Sequence, residues 1–172
     1  MPKINWEEII SEFDKLNVLV IGDAMIDSYI WGDIERNSPE APIPIVNATK
    51  YEKKLGGAAN VALNIKSLGA NPTLVSVIGN NDNGLLDLMK KFDLSVDGIL
   101  QEDRLTTTKT RVISNNKHQL RIDEENTDDI MSEDQLINLV FNCLSKTDVV
   151  LFQDYNKGVL TKRVIREVIE KC

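Results

Sequence analysis

The chain of 172 residues carries 27 acidic and 20 basic side chains, for a net charge of −7, and 42% of it is hydrophobic. That composition supports a folded core and excludes collagen-like, low-complexity and disordered chains. No apolar run approaches the roughly 18 residues of a membrane span, and the acidic charge disfavours nucleic acid and anionic lipid. Because residues 1–14 lack the pattern of a signal peptide, we expect a soluble cytoplasmic protein without membrane or nucleic-acid partners.

Apolar runs and helical periodicities alternate along the chain. A short amphipathic helix is predicted first, at residues 4–13. Almost wholly apolar runs, typical of strands buried on both faces, occur at 17–21, 73–78 and 148–152, with a further short strand at 98–100. Helices are predicted at 57–68, 85–92, 132–144 and 160–170. The alternation predicts an α/β fold, with a mainly parallel sheet flanked by helices.

The last two helices carry more specific predictions. Ser132 with Gln135 resembles a capping box that opens the helix at 132–144, and Cys143 lies in its apolar pattern as a core residue. The last helix is predicted to pack through Leu160, Val164, Ile165, Val168 and Ile169. Two cysteines, Cys143 and Cys172, form neither a disulfide framework nor a zinc site.

Two segments interrupt the α/β alternation, at about 28–54 and 104–124. The first holds aromatic and β-branched residues broken by three prolines, and the second alternates in strand fashion around a polar turn, Asn115-Asn116. We expect both to form antiparallel hairpins of one small sheet that projects from the α/β body. A sheet with an exposed apolar face must cover a ligand, a partner, or both.

The most informative stretch reads Gly56-Gly57-Ala58-Ala59-Asn60-Val61-Ala62 and is followed by Gly69 and Gly79. Paired glycines at a helix entry let the backbone approach a ligand, and the first turn offers free N–H groups to oxygen-rich ligands. Asn60 both donates and accepts, which suits vicinal sugar hydroxyls. On the Gly-Gly pair alone, a tight turn with small residues for helix–sheet packing is the favoured interpretation.

The full spacing, with six residues before Gly69 and nine more before Gly79, is similar to the N-terminal signature of the ribokinase (PfkB-type) sugar kinases. Residues 22–27, 38–44 and 55–69 further resemble the heptose 7-phosphate kinases of bacterial ADP-heptose synthesis, as do 121–123 and 154–158. The resemblance extends from about Leu16 to the end. It implies a ribokinase-like fold with a β lid, and a homodimer paired through that lid. The implied reaction transfers the γ-phosphate of ATP, with Mg, to the anomeric hydroxyl of D-glycero-β-D-manno-heptose 7-phosphate.

The same resemblance implies roles for individual residues. Asp23 and Asp27 would accept hydrogen bonds from the sugar, although a strand-end cap or turn role is an alternative for both. The residues implied to contact the same sugar are Gly56, Gly57 and Asn60. The cations implied for the substrate phosphate are Arg111, Arg121 and Lys157, with Arg36 weaker, and each has the alternative of an ordinary surface charge.

Two acidic features are less specific. Asp154 follows a buried strand, where it faces the reacting centre or serves as a turn residue. An acidic run is interpreted as a solvated loop and helix start, with a metal site as the less favoured alternative, and comprises Glu124, Glu125, Asp128, Asp129, Glu133 and Asp134.

The family's Gly-Ala-Gly-Asp motif, which supplies the catalytic aspartate and the anion hole, does not occur in the sequence. No P-loop replaces it. We therefore expect residues 1–172 to be the N-terminal half of a ribokinase-like kinase domain, without the nucleotide-binding half or any catalytic residue. Such a chain would be inactive alone and would leave its sheet with an open edge. A kinase for another sugar, or a non-catalytic sugar-binding or dimerisation module, are the alternatives.

Overall fold

The computed structural model describes residues 6–172. Helix α1 spans Trp6–Ser11 and is followed by a single 3-10 turn at Phe13–Lys15. The predicted helix at 4–13 is thus confirmed over its described part, and its first two residues lie outside the described residues.

Four parallel strands form the main sheet, which we call sheet A. They are β1 (Asn17–Gly22), β4 (Asn71–Gly79), β5 (Ile99–Glu102) and β8 (Val149–Gln153), in the order β5-β4-β1-β8. Four helices flank it, namely α2 (Gly57–Ser67), α3 (Leu85–Lys91), α4 (Glu133–Leu144) and α5 (Lys162–Lys171). Every predicted strand and helix of the α/β body is present within a few residues of its expected bounds.

The apolar character of β1 follows from its burial on both faces. Val18 and Val20 point into a core shared with α2 and α3, whereas Leu19 and Ile21 point into a second core shared with α4 and α5. Side chains of a strand alternate between its faces, so a strand covered by helices on both sides is apolar throughout. The half-buried Cys143 packs against the second core, as predicted, and burial raises the pKa of its thiol.

The two interrupting segments form a second sheet, sheet B, in the order β3-β2-β6-β7. Its strands are β2 (Ala24–Asn37), β3 (Pro44–Gly56), β6 (Thr108–Ser114) and β7 (Lys117–Glu124). Each predicted hairpin is present, and both residues of the Asn115-Asn116 turn have positive φ, as a two-residue hairpin turn requires. Sheet B is mixed rather than antiparallel throughout, because β2 and β6 pair in parallel where the hairpins meet.

Two details of the helix predictions were wrong. Ser132 occupies the N-cap of α4 but makes no side-chain cap bond, because its hydroxyl bonds instead to Glu102 at 2.8 Å. Ile169 was placed on the inner face of α5, yet it is 60% exposed, whereas Val164 and Val168 are fully buried. The N-terminus of α5 is capped by Thr161, whose hydroxyl accepts from the Val164 N–H.

Among the described residues, strand β8 pairs only with β1. Its outer edge is therefore unpaired and forms one edge of sheet A. Val149 on β8 is 45% exposed, and a cavity of about 480 Å³ lies between this strand and the end of α5, with Phe152 and Ile169 in its lining. Among residues 6–172, no helix has the length and hydropathy to cross a bilayer.

Candidate functional site

Asp23 is the residue between β1 and β2, where the chain passes from sheet A into sheet B. It is only 2% exposed, and its carboxylate accepts backbone N–H bonds from Tyr155 at 2.7 Å, Lys157 at 3.1 Å and Val159 at 3.2 Å. The side chain therefore holds the loop that follows β8. These contacts match the strand-end alternative, and the predicted contact of Asp23 with a sugar stays a prediction.

The glycine pair brings the start of α2 against two aspartates. Gly57 has φ +52°, and a Cβ there would lie 2.2 Å from the carbonyl oxygen of Asp23. A Cβ on Gly56 would lie 2.8 Å from Oδ2 of Asp27. Both positions therefore exclude a side chain, because protein atoms already occupy the space. The backbone makes a close approach at this glycine pair, as predicted. The groups that it approaches are the carbonyl oxygen of Asp23 and the carboxylate of Asp27.

A cleft of about 350 Å³ opens between sheet B and the helices α2 and α3. Asp27 lines it from β2, and Asn60 lines it from the exposed first turn of α2. Three lysines also border the cleft, Lys53, Lys54 and Lys91. The structure thus brings Asp27 and Asn60 together at an opening large enough for a small ligand, while the buried Gly56 packs against Asp27.

Two rows of mostly charged residues, paired in register on neighbouring strands, lie on one face of sheet B. The first row, read from β3 to β7, is Lys54, Asp27, Lys109 and Asp123. The second row is Glu52, Tyr29, Arg111 and Arg121. Directly paired residues on neighbouring strands point to the same face, so this face is polar and highly charged. We call it the charged face.

Asp27 is held by Arg111 on the neighbouring strand. The Arg111 guanidinium donates to Oδ1 of Asp27 at 2.5 Å, and its centre lies 5.5 Å from the ring centroid of Tyr29. Both charged side chains are about three-quarters buried, and the hydrogen bond to Asp27 raises the pKa of Arg111 above its ordinary value. Arg111 therefore fixes the orientation of the carboxylate that borders the cleft.

A second ion-pair group lies where the first row meets the loop after β8. Glu125 accepts from Lys109 at 3.0 Å through one oxygen and pairs with Lys157 at 3.1 Å through the other. Hydrogen bonds from these two lysines hold the pKa of Glu125 below its ordinary value. The interpretation of the acidic run as simply solvated was therefore wrong at Glu125.

Arg121 and Asp154 lie further from the cleft. Arg121 is 59% exposed and pairs with Asp123 at 2.9 Å on the edge strand β7. Asp154 is exposed, and its carboxylate accepts from the N–H of Asn156 at 2.7 Å within its own turn. Arg36 lies near the far end of β2, also exposed. The substrate-binding roles of these residues stay predictions.

Three residues of the site were missed by sequence reasoning. Lys109 had a detectable signal, because it lies two residues before Arg111 on the same strand and so shares its face. Arg104, whose guanidinium donates to the carbonyl oxygen of Lys157 at 2.6 Å, and Glu125, which accepts from Lys109, had none, because these partners are 53 and 16 residues away in sequence. Among residues 6–172, no three His, Cys, Asp or Glu side chains are arranged to hold a metal ion.

Comparison with protein-family models matches residues 15–170 to the pfkB family carbohydrate kinases. A relative named bifunctional protein HldE, from Sulfurimonas denitrificans, is 45% identical over 160 residues, covering 90% of this chain and 34% of the relative. The protein of that name from Geobacter sulfurreducens is 40% identical over 174 residues, covering 98% of this chain and 36% of its own length. The chain therefore spans about a third of the length of these relatives.

Solved structures show the same fold at low sequence identity. Phosphofructokinase-2 from Escherichia coli, in its tetrameric inhibited form, superposes with a TM-score of 0.67 at 14% identity, covering 91% of this chain and 52% of that chain. Ribokinase from Thermotoga maritima superposes with a TM-score of 0.54 at 19% identity, covering 78% of this chain and 43% of that chain. The ribokinase-like α/β fold predicted from the sequence is thereby confirmed.

Proposed function

Because the chain belongs to the pfkB family of carbohydrate kinases, we propose that it forms the sugar-binding side of an ATP-dependent kinase. The proposed substrate is D-glycero-β-D-manno-heptose 7-phosphate, phosphorylated at its anomeric hydroxyl. The resemblance of residues 22–27 and 38–44 to heptose 7-phosphate kinases supports this substrate. The cleft beside Asp27 is the proposed position of the sugar.

The observation that carries the proposal is the arrangement of Asp27 in the cleft. The Arg111 guanidinium donates a hydrogen bond to Oδ1 of Asp27. Among the described residues no side chain donates to Oδ2 of Asp27, which lies beside Gly56. Oδ2 is therefore placed to accept a hydrogen bond from a sugar hydroxyl, while Asn60, which also lines the cleft, can both donate and accept. The Asp27 carboxylate can accept from a sugar hydroxyl, and the Asn60 amide can both donate to and accept from neighbouring hydroxyls. This combination suits the hydroxyl groups of a sugar ring.

The charged face and the loop after β8 together supply the cations that a phosphorylated sugar needs. An acidic chain offers no general attraction to an anion, so the phosphate must meet particular cations. Lys109, Arg111 and Lys157 are all more than three-quarters buried in their side chains, where a charge–charge contact is worth more than at the surface. These residues favour a phosphorylated sugar over a free one.

Titration calorimetry with a panel of sugars tests the substrate class. Heptose 7-phosphate should bind at least about tenfold more tightly than free heptose, since each charge-assisted contact to phosphate is worth about 1.5–3 kcal/mol. Tighter binding of free ribose, fructose or a nucleoside would contradict the proposal and favour a kinase for another sugar.

The proposal assigns phosphoryl transfer to groups outside these 172 residues. Transfer needs a positioned base and charge stabilisation around the phosphoryl group, and the sequence contains no Gly-Ala-Gly-Asp motif to supply them. The chain alone should therefore show no ATP-dependent phosphorylation of heptose 7-phosphate, and turnover at about 1–100 per second would contradict this assignment.

We further propose that two copies pair through sheet B. Its face opposite the charged face carries an apolar row in register, Tyr51, Ile30, Val112 and Leu120. Tyr51 is 71% exposed and Leu120 57%, which is more apolar surface than an isolated sheet normally leaves in water. A second copy of the same face would cover it.

A double substitution tests the dimer. Tyr51→Glu with Leu120→Glu places charges in the proposed interface, so sedimentation equilibrium should give the monomer mass where the unchanged chain gives twice that mass. Leu68→Glu, on a 60% exposed leucine at the end of α2, is the matched control and should leave the dimer intact. A monomeric unchanged chain would contradict the proposal.

A further inference from the structure

One carboxylate bridges Lys109, on the charged face, and Lys157, in the loop after β8. Lys109 Nζ lies 3.0 Å from one oxygen of Glu125, and Lys157 Nζ lies 3.1 Å from the other. The lysine side chains are 17% and 14% exposed, and that of Glu125 is 27% exposed. Two largely buried ammonium groups thus share a single anion, each binding a different oxygen of it.

The charges of this region balance closely without any ligand. The cations are Lys109, Arg111, Arg121 and Lys157, and the carboxylates paired with them are Asp27, Asp123 and Glu125. An arriving phosphate therefore finds its cations already neutralised by carboxylates. It must displace one of those carboxylates or bind beside them at reduced affinity.

Glu125 is the carboxylate best placed to give way. It lies just past the end of β7 and before α4, outside any strand or helix. Asp27, in contrast, lies inside β2 with its backbone in the sheet, and Asp123 lies inside β7. Glu125 can leave the lysines by side-chain rotation alone, and it has one more rotatable bond than an aspartate, whereas Asp27 is held in place by Arg111.

We propose that Glu125 is an internal counter-ion, which binds Lys109 and Lys157 until the phosphate group of the sugar substrate displaces it and takes its place between the two lysines. This inference rests on the proposed function, because it assigns the phosphate end of the same substrate. The bridging geometry of the carboxylate is what a phosphate reproduces, since its oxygens accept from two ammonium groups at once.

This position between Lys109 and Lys157, which we call the subsite, also joins the cleft to the loop after β8. Lys109 is paired in register with Asp27, which borders the cleft, whereas Lys157 lies in the loop held by Asp23. A phosphate bound by both lysines would therefore connect sheet B to sheet A. Glu125 makes this contact selective for a phosphorylated sugar over an uncharged one. An uncharged sugar cannot replace the negative charge of Glu125 beside the two lysines.

The test compares Glu125→Gln with Glu124→Gln by titration calorimetry against heptose 7-phosphate and free heptose. Both variants remove one negative charge, but Glu124 is exposed at the preceding position of the chain, at the end of β7 and on the face opposite the charged face. Glu125→Gln should bind the sugar phosphate about three- to tenfold more tightly, the effect expected of removing one close, partly shielded charge. Glu124→Gln should stay within about twofold of the unchanged chain, and free heptose should not distinguish the variants.

Equal affinities of the two variants for the sugar phosphate would overturn the inference while leaving the proposed function standing. Lys109→Gln gives a second test, because it should weaken binding of the sugar phosphate about fivefold or more and leave free heptose unchanged. An equal loss for both ligands would also overturn the subsite. Titration with inorganic phosphate distinguishes failure of the subsite from failure of the proposed substrate. If Glu125→Gln binds phosphate more tightly than the unchanged chain but neither binds heptose 7-phosphate, the subsite is supported and the proposed substrate is contradicted.

Discussion

At the scale of single residues, Gly57 shows how closely the site is packed. Its φ of +52° is a left-handed conformation that side chains disfavour by about 1–2 kcal/mol, and a Cβ would also meet the Asp23 carbonyl oxygen at 2.2 Å. Because that oxygen belongs to the backbone at the junction of the two sheets, it has little freedom to move. The position therefore combines backbone strain with a steric conflict.

We predict that Gly57→Ala lowers the free energy of unfolding by about 3 kcal/mol or more, measured by urea denaturation. Gly69→Ala is the matched control, since Gly69 also has positive φ, +99°, but a Cβ there would meet nothing within 4 Å. That control should cost only the backbone strain, about 1–2 kcal/mol. Equal losses in the two variants would show that the contact with Asp23 carries no penalty.

At the scale of elements, Arg104 ties together the loops around the site. Its side chain is 6% exposed, pairs with Glu102 at 3.1 Å, and donates to the backbone carbonyl of Lys157 at 2.6 Å. It also donates to the carbonyls of Asn126 and Asp128, at 3.4 and 3.3 Å. The segment that carries Glu125 and the loop that carries Lys157 are therefore held by one guanidinium.

Arg104→Lys should lower the free energy of unfolding by about 2–4 kcal/mol, because a lysine keeps the charge but cannot reach several carbonyls in one plane. Arg166→Lys, on the exposed face of α5, should change it by less than about 0.5 kcal/mol. Chemical denaturation followed by circular dichroism gives both values. A loss at Arg104 no larger than that at Arg166 would contradict the role of Arg104 as a tie between loops.

Individual strands and helices could be predicted from the sequence, whereas contacts between distant segments could not. The apolar run at β1 and the small residues of α2 predicted their structures because strand and helix periods are local properties. The parallel pairing of β2 with β6, and the bond from Ser132 to Glu102, depend on segments far apart in the chain. No periodicity encodes such partners, so these two features became known only from the structure.

At the scale of the whole molecule, the site lies where the two sheets meet. The chain leaves sheet A at Asp23, runs through sheet B, and returns at Gly56 to start α2. That path explains why the sequence motifs cluster there, since Asp23, Asp27 and the glycine pair all lie at this crossing. The motifs predicted which residues gather at the crossing, but not the ion pairs that link Asp27 to Arg111 and Lys157 to Glu125.

Asn60→Ala tests whether the cleft beside Asp27 binds the sugar phosphate, because Asn60 lines that cleft. Asn64→Ala, one turn further along α2 on another exposed asparagine, is the matched control, because both changes alter helix propensity equally. Calorimetric titration with heptose 7-phosphate should show about tenfold weaker binding for Asn60→Ala, from the loss of one or two hydrogen bonds to the sugar. Asn64→Ala should bind like the unchanged chain. Unaltered affinity in Asn60→Ala, or an equal loss in both variants, would contradict the placement of the sugar in this cleft.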